Sequence, residues 1–173
     1  MRELADKKRI EAFISALARE STTETDVFLV GGTSAVLVGW RATTMDVGLV
    51  IRSESDAMLR AIPALKERLR INVELASPDQ FIPVPSGWEQ RSPVIMRIGL
   101  VTFRHYDFSA QALAKIERGH ARDLADVGAM LDRGLINGSE VRRMFAQMEP
   151  ELYRFPAIDP PSFRRAVDAV FPP

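Results

Sequence analysis

FLVGGTSAVLVGWRATTMDVGLVI, residues 28–51, decides the fold. Short apolar runs bounded by glycine or polar residues read as buried strands. VFLVGG (27–32) is one such run, and MDVGLVI (45–51) is a second. TSAVLVGW between them reads as a short helix, with Thr33 or Ser34 placed to cap its first N–H groups. Strand side chains alternate between faces, so Val47, Leu49 and Ile51 share one face of the second strand while Asp46 and Gly48 share the other.

Working outward, Ile10, Phe13, Ile14 and Leu17 recur at helical spacing and predict an amphipathic helix over 4–19. Residues 55–70 carry a second helical pattern, in which Pro63 predicts a break or an irregular turn. INVELA (71–76) is a third strand, and SPDQFIPVPSGWEQRSP (77–93) is a loop rich in proline and polar residues. VIMRIGLVTFRHY (94–106) predicts two strands meeting near Gly99. From Phe108 the chain turns helical through SAQALAKIERG, ARDLADVGAMLDRG, SEVRRMFAQM and PSFRRAVDAVF, with Asn137-Gly138 between two of these segments. The expected fold is α+β (mixed α/β), with a sheet of about four to five strands flanked by helices. The expected domains are an α/β core over 1–106 and a helical region over 107–173 packed on it.

A chain of 173 residues can bury one well-packed core, or a small core with a helical annex. Lys plus Arg and Asp plus Glu both number 23, so the chain as a whole carries no electrostatic footprint for nucleic acid, although a local basic face stays open. The absence of cysteine excludes disulfides, thiol catalysis and Cys-based zinc sites. With His105 and His120 the only histidines, any metal must be a hard cation on carboxylates. The charged start MRELADKKRIEAF lacks the apolar stretch of a signal peptide, and no apolar run reaches the length of a membrane span. A soluble, cytoplasmic protein with no membrane partner is expected.

The chemistry lies in the opening stretch. Two acids at i and i+2 of a strand point the same way and can share a metal pair. A glycine turn between strand and helix brings backbone N–H groups close to phosphate. Val30-Gly31-Gly32 followed by Asp46-Val47-Gly48-Leu49 resembles the minimal nucleotidyltransferase superfamily (polymerase-beta-like fold). That family's pattern is an apolar residue, Gly, then Gly or Ser, a spacer, and Asp-apolar-acid-apolar. Gly48 stands where the second acid belongs. The family's site is commonly completed by a third acid on a neighbouring strand, so the resemblance implies a metal site of Asp46 and Glu74 holding Mg2+ (or Mn2+), with Glu74 as that third acid. The bland alternative for Glu74 is a solvent-facing acid on an edge strand.

GGTSAVLVG, RATTMD, NVELASPDQFIP and ALAKIERGHARDLADV together resemble the AbiEii-like bacterial nucleotidyltransferases, many of them toxins of toxin–antitoxin or abortive-infection systems. The likeness spans residues 26–135. It implies a nucleoside triphosphate substrate bound by Gly31, Gly32, Ser34, Arg41, Lys115, Arg122 and Asp123, with Asp126 beside them. Lys115 joins Asp46 and Glu74 as an implied catalytic residue, and Arg118 shares its helix face. The implied acceptor is tRNA or another RNA end, or a protein hydroxyl, and the implied protein partner is a cognate antitoxin. Each residue also has an ordinary alternative. Lys115 can lay its stem on apolar surface, Arg122 and Asp126 can form an i, i+4 pair, and Trp40 and Trp88 can simply pack. His105 and His120 are too isolated to serve as a base.

Gly48 leaves three readings open: an active enzyme with an altered site, a nucleotide-binding pseudoenzyme or interaction module without turnover, or a residue changed to silence a toxic enzyme. On the sequence alone, restoring a carboxylate at 48 is expected to strengthen metal binding more than any other single change.

Overall fold

The computed structural model of the protein describes residues 3–52 and 56–173. Met1 and Arg2 of the charged start, and Ser55 of the second expected helix, lie outside the described residues. The element order is β1 (Ala5–Asp6), α1 (Lys7–Ala18), β2 (Thr25–Val30), α2 (Gly32–Val38), β3 (Thr43–Thr44), β4 (Asp46–Arg52), α3 (Ala57–Leu69), β5 (Asn72–Glu74), α4 (Trp88–Arg91), β6 (Val94–Ile98), β7 (Val101–His105), α5 (Phe108–Arg118), α6 (Ala121–Asp132), α7 (Gly138–Met148) and α8 (Pro160–Val170). Short 3-10 turns occupy Pro78–Gln80 and Glu149–Arg154. This is a mixed α+β fold with its helices concentrated toward the C-terminus.

The chain divides into two compact units, Met1–Ser77 with Ser92–Tyr106, and Pro78–Arg91 with Asp107–Pro173. The first unit holds a five-stranded sheet in the order β5-β4-β2-β7-β6. β4 runs parallel to β5 and antiparallel to β2, while β7 runs parallel to β2 and antiparallel to β6. Val27, Leu29, Val47, Leu49, Val73, Val101 and Phe103 face the core, where Ile10, Phe13, Ile14 and Leu17 of α1 and Met58, Ile62 and Leu65 of α3 meet them. The alternation read from the sequence thus sets which sheet face the helices cover.

Two local expectations are corrected. The first helix starts at Lys7 rather than residue 4, because Asp6 caps it by accepting from the Arg9 N–H at 2.9 Å. Ala5 and Asp6 instead pair antiparallel with Thr44 and Thr43. Pro63 does not break α3, which runs unbroken from Ala57 to Leu69. Met58, Ile62 and Leu65 anchor the helix on both sides of the proline, and Pro63 itself is exposed on the outer face.

The second unit is helical. Asn137 caps α7 by accepting from the Glu140 N–H, and Phe145 meets Phe163 of α8 edge-on with ring centroids 4.9 Å apart. Part of the proline-rich loop belongs to this unit: Arg91 donates from Nε and Nη2 to Asp107 Oδ2 at 3.0 and 2.7 Å, and Asp107 caps α5 through the Ser109 N–H. Burial pushes the Asp107 carboxyl up from its ordinary range, against the pull of Arg91.

Candidate functional site

The turn between β2 and α2 requires both of its glycines, for different reasons. Gly31 has φ 60° and ψ −129°, a conformation closed to residues with a Cβ. Gly32 is pressed by its neighbours: a Cβ there would lie 2.1 Å from Thr44 Oγ1 and 3.4 Å from an Arg41 guanidinium nitrogen. Arg41, the basic residue ahead of Asp46, is therefore folded back against the glycine turn. Gly32→Ala is expected to cost about 1–3 kcal/mol through this overpacking. Urea unfolding of the variant measures it, and an unchanged midpoint would show that Thr44 yields freely.

The hydroxyls after the turn face inward. Gly31 itself is the N-cap of α2, without a side-chain cap bond, so the expected capping by Thr33 or Ser34 does not occur. Thr33 and Ser34 are both fully buried. Thr33 Oγ1 accepts from the Gly48 N–H at 2.8 Å, tying α2 to β4. Ser34 Oγ donates to the Leu29 carbonyl at 3.0 Å and lies 2.9 Å from His105 Nδ1. Those two contacts engage the Ser34 hydroxyl within the protein.

On the sheet face opposite the α1 and α3 core, β4 and β5 bring the polar residues together. Their parallel register sets Asp46 beside Asn72 and Gly48 beside Glu74. The four positions form a square with its two acids, Asp46 and Glu74, on a diagonal. Asn72 donates its side-chain amide to Asp46 Oδ1. Glu74 is exposed on β5, the edge strand of the sheet. On the other side of β4, Gly48 pairs with Val30. A Cβ at Gly48 would meet Val30 Cγ2 at 2.8 Å and the Val30 carbonyl oxygen at 3.2 Å. A valine side chain is stiff about χ1, and the carbonyl is fixed by the strand. An acid at 48 must therefore displace packed atoms.

Asp46 and Glu74 are hard-oxygen donors on one face, as a magnesium-type cation requires. Their donor type fits such a cation, and Gly48, opposite Glu74 in the register, adds no carboxylate to the face. Among the described residues, no three His, Cys, Asp or Glu side chains form a cluster that could hold a metal.

The residues expected from the helical segment lie in the second unit. Lys115 Nζ sits 2.7 Å from Asp126 Oδ2 and 3.4 Å from Asp123 Oδ1, all three side chains being buried. Arg118 forks onto both Asp123 oxygens at 2.7 and 2.6 Å. Burial pushes the Asp123 carboxyl up, but the Arg118 hydrogen bonds and the Lys115 and Arg118 charges outweigh it and hold it below its ordinary range. Arg122 is exposed on α6. Lys115, Asp123 and Asp126 thus satisfy one another between α5 and α6. The roles of Asn72, Thr33 and His105 at these contacts were missed in the sequence, where no local signal marks them.

A mixed sheet with helices on one face, a strand–glycine–helix turn, and carboxylates of adjacent strands on the other face define the nucleotidyltransferase class of scaffold. The chain belongs to the family described as nucleotidyltransferase of unknown function (DUF6036), which matches residues 7–156. No curated protein and no solved structure matches it. Among the described residues no helix is long and apolar enough to cross a membrane.

Proposed function

We propose that the protein binds a nucleoside triphosphate at the Gly31-Gly32 turn and transfers its nucleotidyl group to an acceptor hydroxyl, whose oxygen bonds to the α-phosphorus as pyrophosphate leaves, with the help of a magnesium or manganese ion that Asp46 and Glu74 would hold. The observation that carries this reading is the placement of Asp46 and Glu74 on one sheet face, in the same unit as a glycine turn against which Arg41 is folded. Arg41 offers the turn a fixed positive charge for phosphate oxygens. The cation, when bound, supplies neutralisation of charge developing on the transferred phosphoryl group. Asn72 orients Asp46, and the buried Thr33 and Ser34 hydroxyls hold the turn against β4 and β7. The acceptor in this reading is an RNA end, such as tRNA, or a protein hydroxyl. The setting is a toxin–antitoxin or abortive-infection pair in the cytoplasm, with the antitoxin as protein partner. Its support is the resemblance of the GGTSAVLVG, RATTMD and ALAKIERGHARDLADV segments to AbiEii-like proteins.

A second reading, nucleotide binding without turnover, is favoured by Gly48, whose Cβ direction is filled by Val30. One experiment separates the two. The protein is incubated with labelled nucleoside triphosphates, Mg2+ and cellular RNA and protein, and its melting temperature is followed with and without nucleotide. Label transfer that Asp46→Asn abolishes supports the transferase. A rise in melting temperature with nucleotide and no transfer supports the binding module. Neither response would sink both.

A further inference from the structure

The geometry points to Asn72, rather than Gly48, as the residue that limits how strongly this site takes a divalent cation. The inference rests on the assignment of Asp46 and Glu74 as the cation-binding face. Of the four positions in the β4–β5 square, two are not acidic, and they differ in what a carboxylate would meet there. At Gly48 the Cβ direction runs into the Val30 methyl at 2.8 Å and the Val30 carbonyl oxygen at 3.2 Å, while Thr33 Oγ1 anchors the Gly48 N–H at 2.8 Å and keeps the strand from shifting. At Asn72 a side chain of the same shape as Asp is already in place and already touches Asp46. Asn72→Asp therefore adds charge without adding volume.

Asn72 also acts on Asp46 in the wild-type protein. Its amide N–H occupies Asp46 Oδ1, directing that oxygen to a neutral donor. Residue 72 lies two positions before Glu74 on the same strand, so Asp at 72 would give β5 the i, i+2 acid pair that β4 lacks. With Asp46 beside it, three carboxylates would then share one face. Asn72 thus meets Asp46 with a neutral amide and leaves the face one carboxylate short. Divalent selectivity and affinity in oxygen-ligand sites follow ligand charge and number.

The test is Mn2+ titration, read by electron paramagnetic resonance of the free ion and by the Mn2+-dependent shift in melting temperature, on wild-type protein and the Asn72→Asp, Gly48→Asp and Asn72→Ala variants. Asn72→Asp is expected to bind Mn2+ at least about ten-fold more tightly than wild type and to gain the larger metal-dependent thermal shift. Gly48→Asp is expected to melt lower without metal and to gain less. Asn72→Ala, which frees Asp46 without adding charge, is expected to stay within a few-fold of wild type. A gain in Gly48→Asp equal to or larger than that in Asn72→Asp overturns the inference, as does an Asn72→Asp protein that folds and binds no better than wild type. If instead no variant binds Mn2+ and nucleotide leaves the wild-type melting temperature unchanged, the assignment of the face itself falls.

Discussion

Replacing Lys115 with Met is expected to cost about 3–5 kcal/mol of stability, the usual loss when one partner of a buried ion pair is removed. The Lys115 ammonium is the 2.7 Å partner of Asp126, and both side chains are almost fully shielded, at 7% and 3% exposed. Desolvating two carboxylates is expensive, and a neutral thioether offers them nothing in return. Removing both charges at once is a different matter. Lys115→Met with Asp126→Leu should recover most of the loss, because a hydrophobic replacement of a whole buried pair is often near neutral. Arg118→Ala should cost about 0–1 kcal/mol, since its side chain is 55% exposed and solvent screens it. Urea unfolding of the four proteins at neutral pH checks the ordering. A Lys115→Met midpoint close to wild type would show that water or a neighbouring cation replaces the ammonium. The same result governs any functional assay: activity lost in a Lys115 variant must be set against how much of that variant is folded.

The fold was legible where short-range pattern decides it. The apolar run Val27–Val30 marks one strand, and in the other Val47 and Leu49 alternate with Asp46 and Gly48, which fixes the side its helices cover. Gly31 and Gly32 read correctly as a turn, because nothing bulkier tolerates the φ of the first or the contact of the second with Thr44. Long-range register was not legible. That Asn72 lands opposite Asp46 depends on β5 running parallel to β4 after a helical crossover, and no local pattern encodes the offset. Pro63 misled for a related reason. Its cost is local, whereas the buried Met58, Ile62 and Leu65 that hold the helix on either side of it belong to tertiary packing. The partners of the Ser34 hydroxyl within the protein were not legible either, since they cannot be read from spacing. Only the structure shows the Leu29 carbonyl and His105 at its oxygen.

His105 sets the second large effect, a loss of stability in mild acid. Burial lowers its pKa from 6.5 to about 4. Ser34 has one hydroxyl proton, directed at the Leu29 carbonyl, so its oxygen accepts from His105 Nδ1–H and fixes that tautomer in the neutral ring. The sign follows from proton uptake. Between pH 6.5 and about 4 the unfolded chain binds a proton at this histidine that the folded chain refuses. Stability is therefore complete above 6.5, falls as pH drops toward 4, and levels off below it. The full span corresponds to at most about 3 kcal/mol. Asp107 works in the opposite direction, because a carboxyl whose pKa is raised in the folded state gains stability as pH falls. The histidine must therefore be isolated by comparison with His105→Asn, whose amide can still donate from the Nδ1 position. Unfolding free energies for both proteins at pH 7.5, 5.5 and 4.5 should diverge steadily, with the wild type falling faster by about 1–3 kcal/mol at the acid end. Parallel curves would mean that the ring charges within the folded protein, and that the Ser34–His105 contact opens to solvent before the sheet does.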